Sequence, residues 1–242
     1  GDLWIMDTEL REPIPITKTD GIESEPVFAR DGKSLWFARS VGGRSDIWKV
    51  EPKAPEKYWW EQTEFVESQI TDSGDTKSDL QFTPDGKQLL YQSSNGNLVR
   101  YELADKHTQT VVASFSSVDY SISPDSRWVA YSQQDNEFNY EIWLRPLDGS
   151  QPPTNVSRHP DNDTNPVFSP DGKLLAFTGR RVDVETDIYY VYLQASNDEQ
   201  SSRDRKLDKA LETMKKKRDA ESKADSKRSE EHTSELQSRL QI

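Results

Sequence analysis

The chain has 242 residues, of which 32% are hydrophobic, and a mean hydropathy of −0.93, so the composition leaves no helical segment able to cross a membrane. It contains no cysteine, which excludes disulfides, thiolate metal sites and a cysteine nucleophile. The formal net charge of −12 divides into −15 over residues 1–200 and +3 beyond them, an acidic body that repels nucleic acid and anionic membrane surfaces.

Aromatic residues reach 10% among many Gly, Pro, Asn and Asp, the composition of short strands joined by turns. The opening Gly1-Asp2-Leu3-Trp4-Ile5-Met6-Asp7 reads as a strand in mid-fold, and Ile14-Pro15-Ile16-Thr17 as a strand closing the same unit. Four segments then align. They are Pro26-Val27-Phe28-Ala29-Arg30-Asp31-Gly32-Lys33, Leu80-Gln81-Phe82-Thr83-Pro84-Asp85-Gly86-Lys87, Tyr120-Ser121-Ile122-Ser123-Pro124-Asp125-Ser126-Arg127 and Pro166-Val167-Phe168-Ser169-Pro170-Asp171-Gly172-Lys173. Their shared Asp recurs after 54, 40 and 46 residues, the spacing of a four-stranded propeller blade.

In each repeat Pro presets φ for a tight turn, Asp bonds its own backbone, and Gly supplies positive φ. The turn residues are Asp31 and Gly32, then Pro84, Asp85 and Gly86, then Pro124 and Asp125, then Pro170, Asp171 and Gly172. Two turns depart from the pattern: Ala29-Arg30 replaces Ser-Pro, and Ser126 replaces Gly, so Ser126 must accept positive φ or use another turn type. After each turn comes a near-continuous apolar strand (34–38, 88–91, 128–132, 174–178), as expected of a strand packed between two blades. Third strands follow at 46–50, 97–101, 141–144 and 187–191, and fourth strands at 68–71, 110–113 and 154–157. The expected division is a partial blade at 1–18, blades at 23–72, 75–114 and 117–158, and a partial blade at 163–193, together a partial propeller over 1–200. Four to five blades are too few for the usual ring, so the sequence is expected to be a piece of a longer propeller with further blades upstream.

Ser-Pro-Asp-Gly-Lys, then an apolar strand, then Asp-Ile-Trp/Tyr resembles the WD-like repeat of TolB-type and tricorn-type propellers, over roughly residues 1–193. Prolyl-oligopeptidase-like enzymes carry the same repeat. Gln69-Ile70-Thr71-Asp72-Ser73 before Ser78-Asp79-Leu80-Gln81-Phe82, and Asp204-Arg205-Lys206-Leu207-Asp208-Lys209-Ala210-Leu211 after the last blade, are most similar to the first propeller of a bacterial tricorn-type protease. That resemblance implies a six-bladed, non-catalytic ring whose serine protease domain lies far downstream, in the bacterial cytoplasm or periplasm. It implies no cofactor. The partners it implies are a peptide or protein and further blades and domains of the parent chain, with neither nucleic acid nor membrane insertion. The alternatives are the propeller of a prolyl-oligopeptidase-like hydrolase and a TolB-like module docking envelope proteins.

Leu207, Ala210, Leu211 and Met214 fall on one face of a helix, within a charged helical linker expected at 201–227. Residues 228–242 resemble the translation of a sequencing adapter and are set aside as read-through. No catalytic centre is expected. The three histidines, His107, His159 and His232, lack metal-ligand spacing, and neither a Gly-x-Ser-x-Gly elbow nor a phosphate-binding loop occurs. Asp161-Asn162-Asp163-Thr164-Asn165 fails as a calcium loop, because Pro166 and Gly172 stand where Gly and Glu are needed. Two candidate binding features remain. Residues 51–64 form an insertion whose Tyr58, Trp59 and Trp60 either cover the blade or face a peptide or neighbouring domain. Arg180 and Arg181, in the hairpin after a second strand, are either solvated hairpin charges, the expected case, or contacts for a carboxylate terminus.

Overall fold

A computed structural model describes residues 1–181, 184–199 and 201–219. The 228–242 segment and the second part of the expected linker, 220–227, lie outside the described residues. The chain divides into two units, Gly1–Val191 and a second beginning at Tyr192.

The first unit is all antiparallel sheet. Strands β1 (Trp4–Ile5) and β2 (Ile14–Pro15) form a pair. Blade 1 is β3 (Ile22–Phe28), β4 (Leu35–Val41), β5 (Arg44–Pro52) and β6 (Phe65–Gln69) in sequential order. Blade 2 is β7 (Lys77–Phe82), β8 (Gln88–Ser93), β9 (Leu98–Glu102) and β10 (Thr108–Val112). Blade 3 is β11 (Tyr120–Ile122), β12 (Trp128–Gln134), β13 (Tyr140–Pro146) and β14 (Thr154–Asn155). A three-stranded sheet of β15 (Asp163–Phe168), β16 (Leu174–Gly179) and β17 (Asp187–Tyr192) ends the series. In the second unit, α1 (Ala195–Asp198) precedes α2 (residues 202–219), where Leu207, Leu211 and Met214 are exposed.

The apolar second strands are explained by burial on both faces. Leu35 and Phe37 of β4 pack with Ile16, Leu3 and Ile5 beside the β1–β2 pair. Trp36 and Ala38, pointing the opposite way, join Leu80, Phe82, Leu89, Tyr91 and Tyr101 of blade 2. On the far side of β8, Leu90 packs with Val118, Tyr120, Val129 and Tyr131 across the junction with blade 3. Each fully buried large apolar side chain here contributes roughly 1.5–3 kcal/mol, so the junctions between blades hold the unit together.

Three features set the register. The innermost strands β3, β7 and β15 each carry a β-bulge, with Glu25, Asp79 and Asn165 at φ 56°, 52° and 54°. β11 has three residues and pairs without a bulge, in keeping with the shortest spacing between repeats. The Asp-Ile-Trp pattern is a latch for the outer strand. Ile47 N donates to Thr71 Oγ1 (2.9 Å), Ile70 N donates to Ile47 O (2.8 Å), and the Thr71 hydroxyl donates to Asp46 Oδ1 (2.9 Å). In blade 3, Ile142 N donates to Ser157 Oγ (3.0 Å), and Glu141 accepts from the Ser157 hydroxyl and from His159 N. Leu3 N bonds Thr17 Oγ1 (2.8 Å) in the same way, and Thr19 N bonds Asp2 Oδ1 (3.0 Å). Blade 2 has no hydroxyl at this position; Asn97 Oδ1 accepts directly from Ser114 N (3.0 Å).

Candidate functional site

The repeated turns close the first hairpin of each sheet by one design. Gly86 N donates to Thr83 O (2.8 Å) and Gly172 N to Ser169 O (2.9 Å), with both glycines at positive φ. The hydroxyls of Thr83, Ser123 and Ser169 donate to Asp85, Asp125 and Asp171 at 2.6, 2.5 and 2.6 Å. Each of these acids also accepts a backbone N–H two residues on. Ser169 and Lys173 thus hold the Asp171 carboxyl below its ordinary range. Ala29 offers no hydroxyl, and Asp31 keeps only the bond from Lys33 N (3.0 Å).

The turns of successive blades touch. Ser126 adopts the left-handed conformation, φ 61°, and its Oγ accepts from Asp85 N (2.9 Å), a bond that glycine could not make. A Cβ on Gly86 would lie 3.1 Å from Arg30 Cβ, and one on Gly172 would lie 3.8 Å from Pro124 Cδ. The turn residues are therefore engaged with each other, along one end of the sheets.

The insertion folds back over blade 1. Glu51 and Pro52 belong to β5, paired with Val66 and Phe65, so the extra residues begin two residues later than the sequence suggests. Trp59 meets Phe28 edge-on at 5.1 Å, stacks on Phe65 at 5.7 Å and donates Nε1–H to Gly32 O (2.9 Å). It covers the blade. Tyr58 and Trp60 project the other way as a parallel stack, 4.6 Å between centroids, and are 65% and 40% exposed. Buried Gln62 organises this loop, accepting from Ala54 N and donating to Ala54 O, Lys57 O and Tyr58 O.

The two arginines have different surroundings. Arg181 makes a bidentate pair with fully buried Asp163 (2.7 and 2.9 Å) and lies 4.6 Å over the Tyr189 ring, so it is neither a solvated hairpin charge nor free for a carboxylate. Gly179 is needed beside it, because a Cβ there would fall 2.0 Å from Asp163 Oδ1. Arg180 is partly exposed and pairs with Asp161 (2.8 Å), holding that carboxyl below its ordinary range.

Two buried ionic groups escape sequence reading altogether. Lys77, 2% exposed, reaches across from blade 2 to blade 1. Its Nζ donates to Asp75 Oδ1 (2.6 Å), Ser73 Oγ (2.5 Å) and Asp46 Oδ1 (3.3 Å). Burial first, then Asp75, Tyr101 and Asp46, pushes the neighbouring Tyr91 hydroxyl up to about 12. Arg39 pairs with fully buried Glu23 (2.7 Å) and with Glu67 (2.5 Å), its guanidinium 4.3 Å over Trp48. Glu23, Lys77 and Asp163 stand at the same place, eight residues before the turn Asp. Only this shared offset could have singled them out.

His107 lies in the β9–β10 turn and His159 between β14 and β15, each in a different blade. Among the described residues, no group of three or more His, Asp or Glu is placed to hold a metal, and no helix is long and apolar enough to cross a membrane.

No family model matches the chain. Over 96 residues it is 35% identical to the Emericella nidulans protein named "Probable dipeptidyl-peptidase 5", covering 33% of this chain and 13% of that protein. Among solved structures, the tricorn protease superposes with a TM-score of 0.62 at 12% identity, over 81% of this chain and 20% of that one. TolB from Acinetobacter baumannii superposes with a TM-score of 0.55 at 18% identity, over 79% of this chain and 46% of that one. The chain thus spans a minor part of each relative, and at these identities the solved structures share its fold. The successive antiparallel sheets and these superpositions make the chain an incomplete β-propeller.

Proposed function

We propose that the chain is a non-catalytic propeller module of a larger serine peptidase of the tricorn type, binding peptide or gating its passage to a catalytic domain elsewhere in the parent. The observation carrying this reading is the 35% identity to a protein named as a peptidase, together with the propeller fold. The charged helix α2 after the last sheet supports the tricorn-type arrangement, because it fits a spacer rather than entry into an α/β hydrolase domain. A second reading, the propeller of a prolyl-oligopeptidase-like hydrolase, is favoured by the same relative's name as a dipeptidyl-peptidase.

Within the module, the Tyr58–Trp60 stack is the proposed contact for a peptide or a neighbouring domain, with Trp59 as its anchor. Arg180 is the proposed carboxylate contact, since Arg181 is engaged by Asp163. The partners are thus a peptide or protein and the parent's own further blades and domains.

The test is a fluorophosphonate serine probe applied to the full parent protein and to residues 1–219 alone. The reading expects labelling of the parent at a serine outside residues 1–219 and none of the shorter chain. Labelling inside residues 1–219 overturns it.

A further inference from the structure

The antiparallel sheets place the hairpins between second and third strands, and the crossovers to the next blade, at the end opposite the turns. Two phenylalanines stand there in full view. Phe115, in the crossover from β10 to β11, is 106% exposed, and Phe138, in the β12–β13 hairpin, is 79% exposed.

Neither loop is slack. In the crossover, Ser114 N donates to Asn97 Oδ1 (3.0 Å), and the Ser114 hydroxyl donates to Ser116 O (2.8 Å). Val118 exchanges two bonds of 2.9 Å with the Gln92 side-chain amide. Gly96 of the neighbouring hairpin packs so tightly that a Cβ on it would stand 2.5 Å from Ser116 N. In the β12–β13 hairpin, Asp135 Oδ1 accepts from Glu137 N (2.7 Å) and Asn139 N (3.0 Å), while Phe138 is held at φ 66°. Gln133 Nε2 donates to Ala113 O (2.8 Å) and ties the two loops together. These bonds hold both loops in place, and both rings stand outward from them.

The two loops themselves carry charge of one sign, with Arg158 and the Arg180–Asp161 pair in the adjoining crossover and hairpin. Residues 113–119 and 133–141 contain Asp119, Asp135, Glu137 and Glu141, and neither Lys nor Arg. We propose that Phe115 and Phe138 form a docking surface for a peptide segment whose apolar side chain is flanked by Lys or Arg. The apolar residue would cover the rings, and the cations would meet the carboxylates of Asp119, Asp135 and Glu137. This adds to the peptide-recognition reading a second surface, apart from the Tyr58–Trp60 stack, and a class of peptide, and it rests on that reading.

The test uses the whole chain and three fluorescein-labelled probes: Lys-Leu-Phe-Lys, Glu-Leu-Phe-Glu and Lys-Ser-Ser-Lys, read by anisotropy. The first should bind at least about tenfold more tightly than either other probe and weaken as salt rises. The double substitution Phe115→Ser with Phe138→Gly should weaken it by about tenfold or more with the melting temperature kept. Leu10→Ser, at an exposed apolar residue of the β1–β2 hairpin, should leave it unchanged. Binding that ignores the Phe substitutions, or that fails to separate the three probes, overturns the placement while leaving peptide recognition standing. Phe-dependent self-association of the chain without peptide, seen by light scattering, replaces the peptide with a second copy and overturns the proposal. Absence of binding by any probe overturns the proposal, and a negative result with an unbiased peptide library would then bring down the recognition reading as well.

Discussion

Replacing Lys77 with Met tests whether blade 1 is fastened to blade 2 by a buried cation. Met keeps most of the volume and removes the charge. The ammonium is 2% exposed and donates to Asp75, Asp46 and Ser73, so the substitution strands two carboxylates facing each other across the junction. Breaking a buried pair from one side costs about 3–5 kcal/mol. Because the Asp46 and Asp75 side chains are 15% and 35% exposed, water reaches them, and the lower end, about 3 kcal/mol, applies. For a unit of this size that corresponds to a fall in melting temperature of about 6–12 °C, followed by Trp fluorescence or circular dichroism. The pH dependence has a definite sign. Burial works to raise the Asp75 carboxyl, but hydrogen bonds from Lys77 and Ser73 and the Lys77 charge outweigh it and hold the carboxyl low. Its contribution is present above the unfolded value, about 3.9, and is lost as pH falls through the lower folded value. In Lys77→Met that contribution is gone, so the gap between variant and wild type should narrow below pH about 4. Lys53→Met, which removes the solvent-exposed pair with Glu64, is the control and should leave the melting temperature unchanged. A loss below about 1 kcal/mol for Lys77→Met, or an equal loss for both variants, would refute the buried-pin argument.

Ser126→Ala keeps the left-handed strain and loses the bond to Asp85 N, so it should cost about 1 kcal/mol in urea titration, whereas Ser126→Gly relieves the strain and should be close to neutral. A neutral Ser126→Ala together with a stabilising Ser126→Gly would show that the inter-blade bond is not formed. Gly96→Ala should be among the most damaging single changes, about 2–4 kcal/mol, from the collision with the Ser116 backbone added to a residue at φ 87°; an unchanged denaturation midpoint would contradict the close approach. The carboxyls of Asp75, Asp85, Asp148, Asp161 and Asp171 all sit below their ordinary values in the fold, so melting temperature should hold level above pH about 5 and decline below about 4, and a level profile down to about 2.5 would contradict their bonding. Limited proteolysis should cut after residue 200 before it cuts the repeats, since α2 leaves Leu207, Leu211 and Met214 exposed; initial cuts inside residues 20–180 would place the boundary elsewhere.

The propeller is legible in the sequence because its repeat is carried by residues with few substitutes. Pro-Asp-Gly at 84–86 and 170–172 sets a backbone path, and the apolar runs at 34–38 and 128–132 can be buried on two faces only between neighbouring sheets. The bulges at Glu25, Asp79 and Asn165 are not legible, since left-handed φ at a non-glycine residue within a strand leaves no turn signature. The latch was half visible: Asp46-Ile47-Trp48 stands out as a pattern, but its partners Thr71 and Ser73 lie beyond an insertion of variable length. For the aromatic insertion, composition cannot separate Trp59, which covers Phe28 and Phe65, from Trp60, which faces outward. That distinction is made by Gln62, whose amide bonds decide which ring points inward.

The same reasoning explains why charged residues were the least readable part of the candidate site. A lysine in Thr-Lys-Ser-Asp and an arginine pair after Thr-Gly read as solvated, because the sequence gives no sign of what will cover them. In the fold, Lys77 and Arg181 are covered, and each has its carboxylates waiting in an adjoining loop or strand. Burial of charge at one repeat position, by Glu23, Lys77 and Asp163 in turn, gives β3, β7 and β15 each a partner: Arg39 for Glu23, Asp46 and Asp75 for Lys77, and Arg181 for Asp163. An apolar residue there would carry no such demand for a charged partner. A buried ion accepts only a partner of opposite charge at the right distance, so replacing blade 2 by one of similar core would leave Asp46 and Asp75 without Lys77, whereas the Glu23–Arg39 and Asp163–Arg181 pairs would move with their own sheets. Lys77 thus favours blade 1 as the neighbour of blade 2, while the other two pairs fasten strands within their own sheets. Within blade 1, swapping Glu23 and Arg39 as a pair should preserve more stability than either single reversal, and equal losses in all three variants would show that the two charges do not act as a pair.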